Sequence, residues 1–266
     1  MSRTTQSNGN NRAVVRVGAV GDLHCTKAMQ GKLQPLLAQA AKAADVLLLC
    51  GDLTDYGLPE EAHVLARELN TVHVPMIGVL GNHDYESGKQ DEVRDILVAA
   101  GVAMLDGDAC EIKGIGFAGV KGFAGGFGRG VLGPWGENAI KEFVREAVNE
   151  ALKLEAALAR LRTPHRVGVL HYAPIRETVE GEPPEIFPFL GCSRLSEPLY
   201  RYKATAVFHG HAHRGSPEGK IGETIPVYNV ALPLLQRRFP DAPPCRVFEV
   251  GVTETGQEAL PAANLG

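Results

Sequence analysis

Aspartate, asparagine and histidine are unevenly placed in this chain. Nearly every short apolar run ends in a loop that holds one or more of them. Residues 17–20 lead into Gly21-Asp22-Leu23-His24, residues 46–50 into Gly51-Asp52, and residues 77–80 into Gly81-Asn82-His83-Asp84. Residues 167–170 lead into His171, and residues 206–208 into His209-Gly210-His211-Ala212-His213. Carboxylates, imidazoles and an amide oxygen are ligands for Mn²⁺, Fe or Zn²⁺, and there is no thiolate set that demands a structural zinc. Asp22, His24, Asp52, Asn82, His171, His211 and His213 therefore read as metal ligands. Alternate side chains of an extended segment point the same way, so Asp22 with His24, and His211 with His213, are expected to face one centre. Glycine beside Asp22, Asp52, Asn82 and His211 lets backbone or phosphate come close. Loop and helix-cap positions attract Asp and Asn without any ligand; that reading covers one or two of these residues, not an ordered set.

The elements that must position these loops alternate in type. Residues 14–20, 46–50 and 74–80 are β-branched and leucine-rich runs that end at glycine, the pattern of buried strands. Between and after them, residues 28–43, 59–70 and 89–100 carry apolar side chains at helical spacing, with Pro59 suited to a helix start and Gly101 to a helix end. This order predicts a βαβ core with a parallel sheet. Ligands gather at the carboxyl ends of strands in such sheets, which brings the five loops to one edge. Shorter strands are expected at 103–105, 111–113 and 115–120, a long helix at 137–161, and four strands at 166–170, 204–208, 227–230 and 246–250.

The chain has 266 residues, 44% hydrophobic and 22% charged. That length is enough to bury a large core without staples. A polar segment at 1–12 is expected to be disordered. Residues 13–252 are expected to form one domain and 253–266 a loose tail. The net charge of −4 offers no basic stripe for a nucleic-acid polymer. Five cysteines without Cys-x-x-Cys spacing argue for a reducing compartment rather than a disulfide framework. No signal-peptide pattern or membrane-length apolar run is present, so a cytoplasmic protein without a membrane partner is expected.

The ordered set Asp-x-His, Gly-Asp, Gly-Asn-His-Asp, a lone His and Gly-His-x-His, spanning Asp22 to His213, resembles the calcineurin-like metallophosphoesterase superfamily. In motif it is most similar to the small cyclic-nucleotide-phosphodiesterase-like branch. The resemblance implies an α/β fold, a four-layer α/β/β/α sandwich of two mixed sheets flanked by helices. It implies two divalent ions, Mn or Fe first and Zn as the alternative. Asp22, His24, Asp52 and His213 would hold one, and Asp52 would bridge to a second held by Asn82, His171 and His211. His83 would touch the phosphate or protonate the leaving oxygen, with Asp84 orienting its ring. Two such ions clamp phosphoryl oxygens and deprotonate a bridging water, whose hydroxide attacks phosphorus in line. The expected function is hydrolysis of a small phosphoester, with a diester preferred. A monoesterase is the alternative, and a non-catalytic scaffold on the same fold is a remote third.

Several residues stay open at this level. His63, His73 and His165 read as surface or packing residues. His209 either supports the ligand set or is a plain strand residue. Cys25 reads as a small buried thiol. Asp55 and Tyr56 touch substrate or shape the turn, the second being preferred. Lys121–Gly136 holds seven glycines, and its Gly128-x-Gly130-x-x-Gly133 is a chance match to a dinucleotide fingerprint. A mobile lid or substrate-facing loop is expected there, with Arg129 and Trp135 as contacts; a loop that closes over the sheet or joins a second subunit has equal weight, which leaves a homo-oligomer open. The acidic, proline-rich stretch at 174–192 is expected at the rim.

Overall fold

The computed structural model describes residues 12–253. The expected disordered start and loose tail fall outside them, apart from Arg12 and Thr253, which pair with each other at the ends of two strands. Along the chain, the first strands are β1 (Arg12–Val20), β2 (Val46–Cys50), β3 (Met76–Val79) and β4 (Val102–Met104). Between them lie helices α1 (Gln34–Ala43), α2 (Pro59–Leu69) and α3 (Gln90–Ala99). Then come β5 (Asp108–Ile112), β6 (Ile115–Val120), α4 (Asn138–Arg160), β7 (His165–Leu170), α5 (Phe187–Leu190) and α6 (Ser196–Arg201). The order ends with β8 (Ala206–His209), β9 (Glu218–Ile221), β10 (Ile225–Asn229), α7 (Leu232–Arg238) and β11 (Arg246–Thr253).

Two mixed sheets result. One runs β11-β1-β2-β3-β4, with β11 antiparallel and the rest parallel. The other runs β5-β6-β7-β8-β10-β9, parallel through its middle and antiparallel at both edges. Alternation along the strands sorts their side chains into three apolar layers. Val17, Leu48 and Ile77 pack against Phe117, Val169 and Phe208 between the sheets. Leu47 and Leu49 face outward onto Leu37, Leu65 and Leu97 of α1–α3. Ala118 and Val207 face outward onto Leu154 and Leu158 of α4 and Leu199 of α6. These are the four layers, α/β/β/α, that the motifs implied.

Three differences from the sequence reading have clear causes. The helix expected at 28–43 is split: Lys27–Met29 forms a 3₁₀ turn, Gly31 takes φ 77°, and α1 starts at Gln34. The buried Glu68 carboxylate takes over the capping there, accepting the N–H groups of Gly31, Leu33 and Gln34 at 2.6, 2.9 and 3.1 Å. The pattern also missed β9, because an edge strand reading Glu-Gly-Lys-Ile is too polar to signal burial. It missed α7 as well, a single short helix that starts beside Pro233.

Candidate metal centre

The parallel strands of both sheets end at one edge, so the loops after β1, β2 and β3 meet those after β7 and β8. The loops interlock through backbone bonds. Asp22 N–H donates to Gly51 O at 2.9 Å, His24 N–H to Asp52 O at 3.0 Å, and Gly210 N–H to His171 O at 3.1 Å. The extended geometry expected for Asp22-x-His24 and His211-x-His213 is not what aims them. Asp22, His24, Asp52 and His211 take φ of 57°, 43°, 47° and 71°, and only two other non-glycine residues of the described chain have positive φ. Left-handed backbone at non-glycine positions is costly and persists where the surroundings enforce it. Here it reverses the chain so that both members of each pair turn inward. At Gly210 the fit leaves no room for a side chain, since a methyl group there would overlap Asp22 Oδ2.

Two clusters result. The ligand atoms of Asp22, His24 and His213 lie within 4.8 Å of one another, as do those of Asp52, His171 and His211. Asp52 joins the two. Its Oδ1 is 3.3 Å from His171 Nε2, and its Oδ2 is 3.8 Å from His24 Nε2. Asn82 Oδ1 is 2.9 Å from His171 Nε2, which adds the amide to the second cluster. His213 Nε2 is 2.9 Å from Asp22 Oδ1. All seven candidate ligands are thus brought together around one carboxylate.

Donor and acceptor counting shows that this arrangement fits cations. His171 Nδ1–H donates to Cys50 O at 3.0 Å, so in the neutral ring Nε2 carries a lone pair. That lone pair points at the Asp52 and Asn82 oxygens, three acceptors converging with no donor among them. His24 Nδ1–H donates to Asp55 Oδ1 at 3.1 Å, while its buried Nε2 has no hydrogen-bond partner. Imidazoles held from behind by a carbonyl or a carboxylate, with the other nitrogen free, are oriented as metal ligands are.

Without an ion, a proton takes the cation's place in the second cluster. Burial would push the His171 imidazole down, but the Asp52 charge and hydrogen bond overrule it and raise it to about 9. Burial likewise works to raise Asp52, and His171 with the His83 N–H reverses this, leaving its carboxyl well below the usual range. Burial and the nearby His171 charge push His211 down to about 4. A metal held by His171 would have to displace its proton, and affinity should rise by at least roughly tenfold per pH unit up to about pH 9. The Asp22 hydrogen bond and charge also raise His213, so calorimetry of Mn²⁺ uptake in buffers of different ionisation enthalpy should show at least one proton released at pH 7. The stability linkage has a definite sign. A histidine raised from 6.5 to about 9 stabilises the metal-free fold fully below pH 6.5, and that contribution disappears as pH climbs through 9.

The residues around the ligands correct part of the sequence reading. The His83 ring is held not by Asp84 but by the Asp55 backbone carbonyl, which accepts from its Nδ1 at 2.7 Å. Asp84 is fully buried and faces the other way. It accepts from Leu53 N, Thr54 N, Thr54 Oγ1 and Gly81 N at 3.2, 2.8, 2.6 and 2.8 Å, tying the Asp52 loop to the Asn82 loop. Asp55 thus holds both His24 and His83, a role that its place in a turn did not reveal. Asn229 was missed altogether. From the end of β10 it donates to Ala212 O and Thr178 O at 2.8 and 3.2 Å, bracing the turn that carries His211 and His213. Its position at a strand end was the available signal. His209 is buried behind the ligands, donating to Gly210 O and bonded to the Thr178 hydroxyl, each at 2.8 Å; burial pushes it down to about 4. Cys25 is buried and its thiol is pushed up to about 12 by burial, so it is inert. The glycine-rich segment is pinned rather than free: Gly125 N–H donates to Pro188 O, Gly126 N–H to Gly191 O and Ser193 N–H to Gly126 O, at 2.7, 2.9 and 3.1 Å.

Among the described residues no helix is long and apolar enough to cross a membrane. A comparison with curated proteins returns no match. Solved structures share the fold at low identity. The phosphopantetheinyl hydrolase of Mycobacterium tuberculosis is 17% identical, with a TM-score of 0.63 over 92% of this chain and 98% of that one. The protein TT1561 of Thermus thermophilus is 16% identical, with a TM-score of 0.52 over 90% and 99%. A purple acid phosphatase from yellow lupin seeds is 14% identical, with a TM-score of 0.50 over 77% of this chain and 38% of that one. The sequence itself matches the calcineurin-like phosphoesterase family over residues 15–215. With its two sheets and its two ligand clusters, this chain belongs to the calcineurin-like phosphoesterase family.

Proposed function

We propose that the chain hydrolyses a phosphodiester at a centre of two divalent ions, Mn or Fe in preference to Zn. The observation that carries this reading is Asp52, whose two oxygens face one cluster each. Asp22, His24, Asp52 and His213 would hold one ion, and Asp52, Asn82, His171 and His211 the other. When bound, the two ions supply the Lewis acidity that neutralises phosphoryl charge and activates water for in-line attack. The chain's own residues do the rest. His83 is fixed by its Nδ1–H bond to Asp55 O, which leaves Nε2 as the atom that hands a proton to the departing oxygen. Its ring lies 4.6 Å from that of His24, beside the first cluster.

Two features favour a diester over a monoester. Among the described residues, the only cationic side chain bonded to any of the seven ligands is Arg237, on the His213 carbonyl. Apart from the His83 imidazolium, the second negative charge of a monoester would thus meet few cations held at the centre. In addition Tyr56 and Phe189, 57% and 60% exposed, lie on segments whose backbone touches the centre. Tyr56 follows Asp55 in the chain, and the Phe189 carbonyl is 3.2 Å from His211 Nε2. Exposed aromatic side chains at such places suit a substrate with a bulky second ester group. The domain, as we read it, spans 13–252 and acts in the cytoplasm.

The test is turnover of bis-p-nitrophenyl phosphate and p-nitrophenyl phosphate side by side, after stripping metal and adding back Mn²⁺. A phosphopantetheinyl ester belongs in the same series, given the structural likeness to a phosphopantetheinyl hydrolase. Metal-dependent preference for the diester is expected. Preference for the monoester would overturn the diester reading, and no turnover with metal bound would favour a scaffold. His83→Ala should retain metal and lower kcat by about 10²-fold, more for an alkyl leaving group than for nitrophenolate, because the poorer leaving group needs the proton more. Equal losses for both would argue against a proton donor.

A further inference from the structure

The glycine-rich segment, which supplies none of the candidate metal ligands, forms one wall of a groove. The groove, of about 600 Å³, lies between the turn at residues 127–130, the segment 175–177 and β9. That volume is in the range of small-molecule sites. None of its lining residues is a candidate metal ligand.

Its charge is opposite to that of the chain. Three cations from segments far apart in sequence, Arg129, Arg176 and Lys220, line the groove against one lining carboxylate, Glu177, on a protein of net charge −4. The backbone that carries Arg129 is fixed, and Arg176 has side-chain contacts. Arg129 sits in a 3₁₀ turn closed by Gly130 N–H to Phe127 O at 3.0 Å and anchored by Gly128 N–H to Ser193 Oγ at 2.9 Å. The Arg176 guanidinium stands 5.6 Å above the Phe187 ring, and its Nε is 3.6 Å from Glu180. Lys220 lies on the edge strand β9, opposite Pro226. The Ser193 hydroxyl adds a donor, that of Ser196 being taken by Ser193 O at 2.7 Å, and Phe127, Ile175 and Ile221 add an apolar side.

Cations brought together from three segments, with a serine hydroxyl and an apolar wall, match a ligand with a phosphate group at one end and an apolar or planar body at the other. We propose that this groove binds such a phosphorylated small molecule, of the class of a nucleoside diphosphate, independently of the metal centre. Phe127 also packs in a small cluster with Ala173 and Ala212, and Ala212 lies between His211 and His213. The groove thus backs onto the loops of the centre without sharing their ligands.

The test is calorimetric binding of ADP and of inorganic pyrophosphate to the full chain, stripped of metal so that the centre cannot capture phosphate. ADP should bind with a Kd of about 0.1 mM or tighter, and pyrophosphate more weakly for want of an apolar body. The double variant Arg129→Ala/Lys220→Ala should weaken ADP by at least tenfold, about 1.4 kcal/mol, while its unfolding midpoint stays that of the parent. Asp52→Asn should leave ADP binding unchanged, and raising NaCl should weaken it. Unaltered affinity in the double variant, loss of binding in Asp52→Asn, or equal affinity for ADP and pyrophosphate would each overturn the proposal. So would an absence of binding. Because nothing in this series depends on turnover, it stands or falls separately from the phosphodiesterase reading.

Discussion

Asp52→Asn should lower kcat for bis-p-nitrophenyl phosphate by about 10³-fold or more, a loss of roughly 4 kcal/mol in the barrier, even at saturating Mn²⁺. The substitution keeps the size of the side chain and removes its charge. Asp52 is almost wholly buried, its Oδ2 facing His24 and its Oδ1 facing His171. An amide there would remove the charge that two ions would share, and its NH₂ would face one of two imidazole nitrogens that need an anion or a metal beside them. The bound metal should fall from two ions per chain toward one or none. Loss of any single imidazole should be milder, because each serves one cluster. Metal content by elemental analysis, read beside turnover, checks this. Near-wild-type turnover at saturating metal would sink the bridging role of Asp52.

Asp84→Ala is the second large effect, and it separates two roles for that residue. If Asp84 oriented the His83 ring, its loss would mimic His83→Ala and leave the fold and the metals intact. The observed bonds give a different expectation. Three backbone N–H groups and the Thr54 hydroxyl donate to this fully buried carboxylate. Removing it strands buried donors at a cost of about 1–3 kcal/mol each, several kcal/mol in all. It also frees the Asp52 loop from the Asn82 loop. The unfolding midpoint should drop by roughly 10 °C, on the scale of 2–4 °C per kcal/mol for a chain of this size. Metal affinity should fall with it. Burial, followed by the nearby Asp52 charge, already raises the Asp84 carboxyl above its usual value, but Asp84→Asn should recover only part of the stability, because its NH₂ must face either the Thr54 N–H or those of Leu53 and Gly81. A midpoint unchanged in Asp84→Ala, with metal retained, would restore the ring-orienting role.

The candidate ligands could be read from the sequence because each lies where an apolar run stops. Strand-forming patterns announce where a β-strand ends, and a parallel sheet brings such ends to one edge whatever the details of packing. The sequence by itself therefore determined the ordered set of candidate ligands, the alternation of β1–β3 with their helices, and the family resemblance. Tertiary structure decided what no local pattern encodes. The left-handed backbone at Asp22, His24, Asp52 and His211 depends on loops gripping one another across two sheets, so alternation along an extended segment gave the wrong reason for a correct convergence. The Asp55 carbonyl reaches His83 across 28 positions, and Asn229 reaches Ala212 across 17. Such contacts follow from how strands are ordered in space, and a side chain's partner over that separation leaves no periodic trace. The same holds for Asp84, whose place in Gly-Asn-His-Asp beside His83 suggested one partner while burial gave it four others. It also holds for the groove at Arg129, Arg176 and Lys220, whose cations lie far apart in the sequence and meet only once both sheets are assembled. Periodicity records what each segment buries, while the partners of a polar side chain are fixed by which loops the completed sheets bring together.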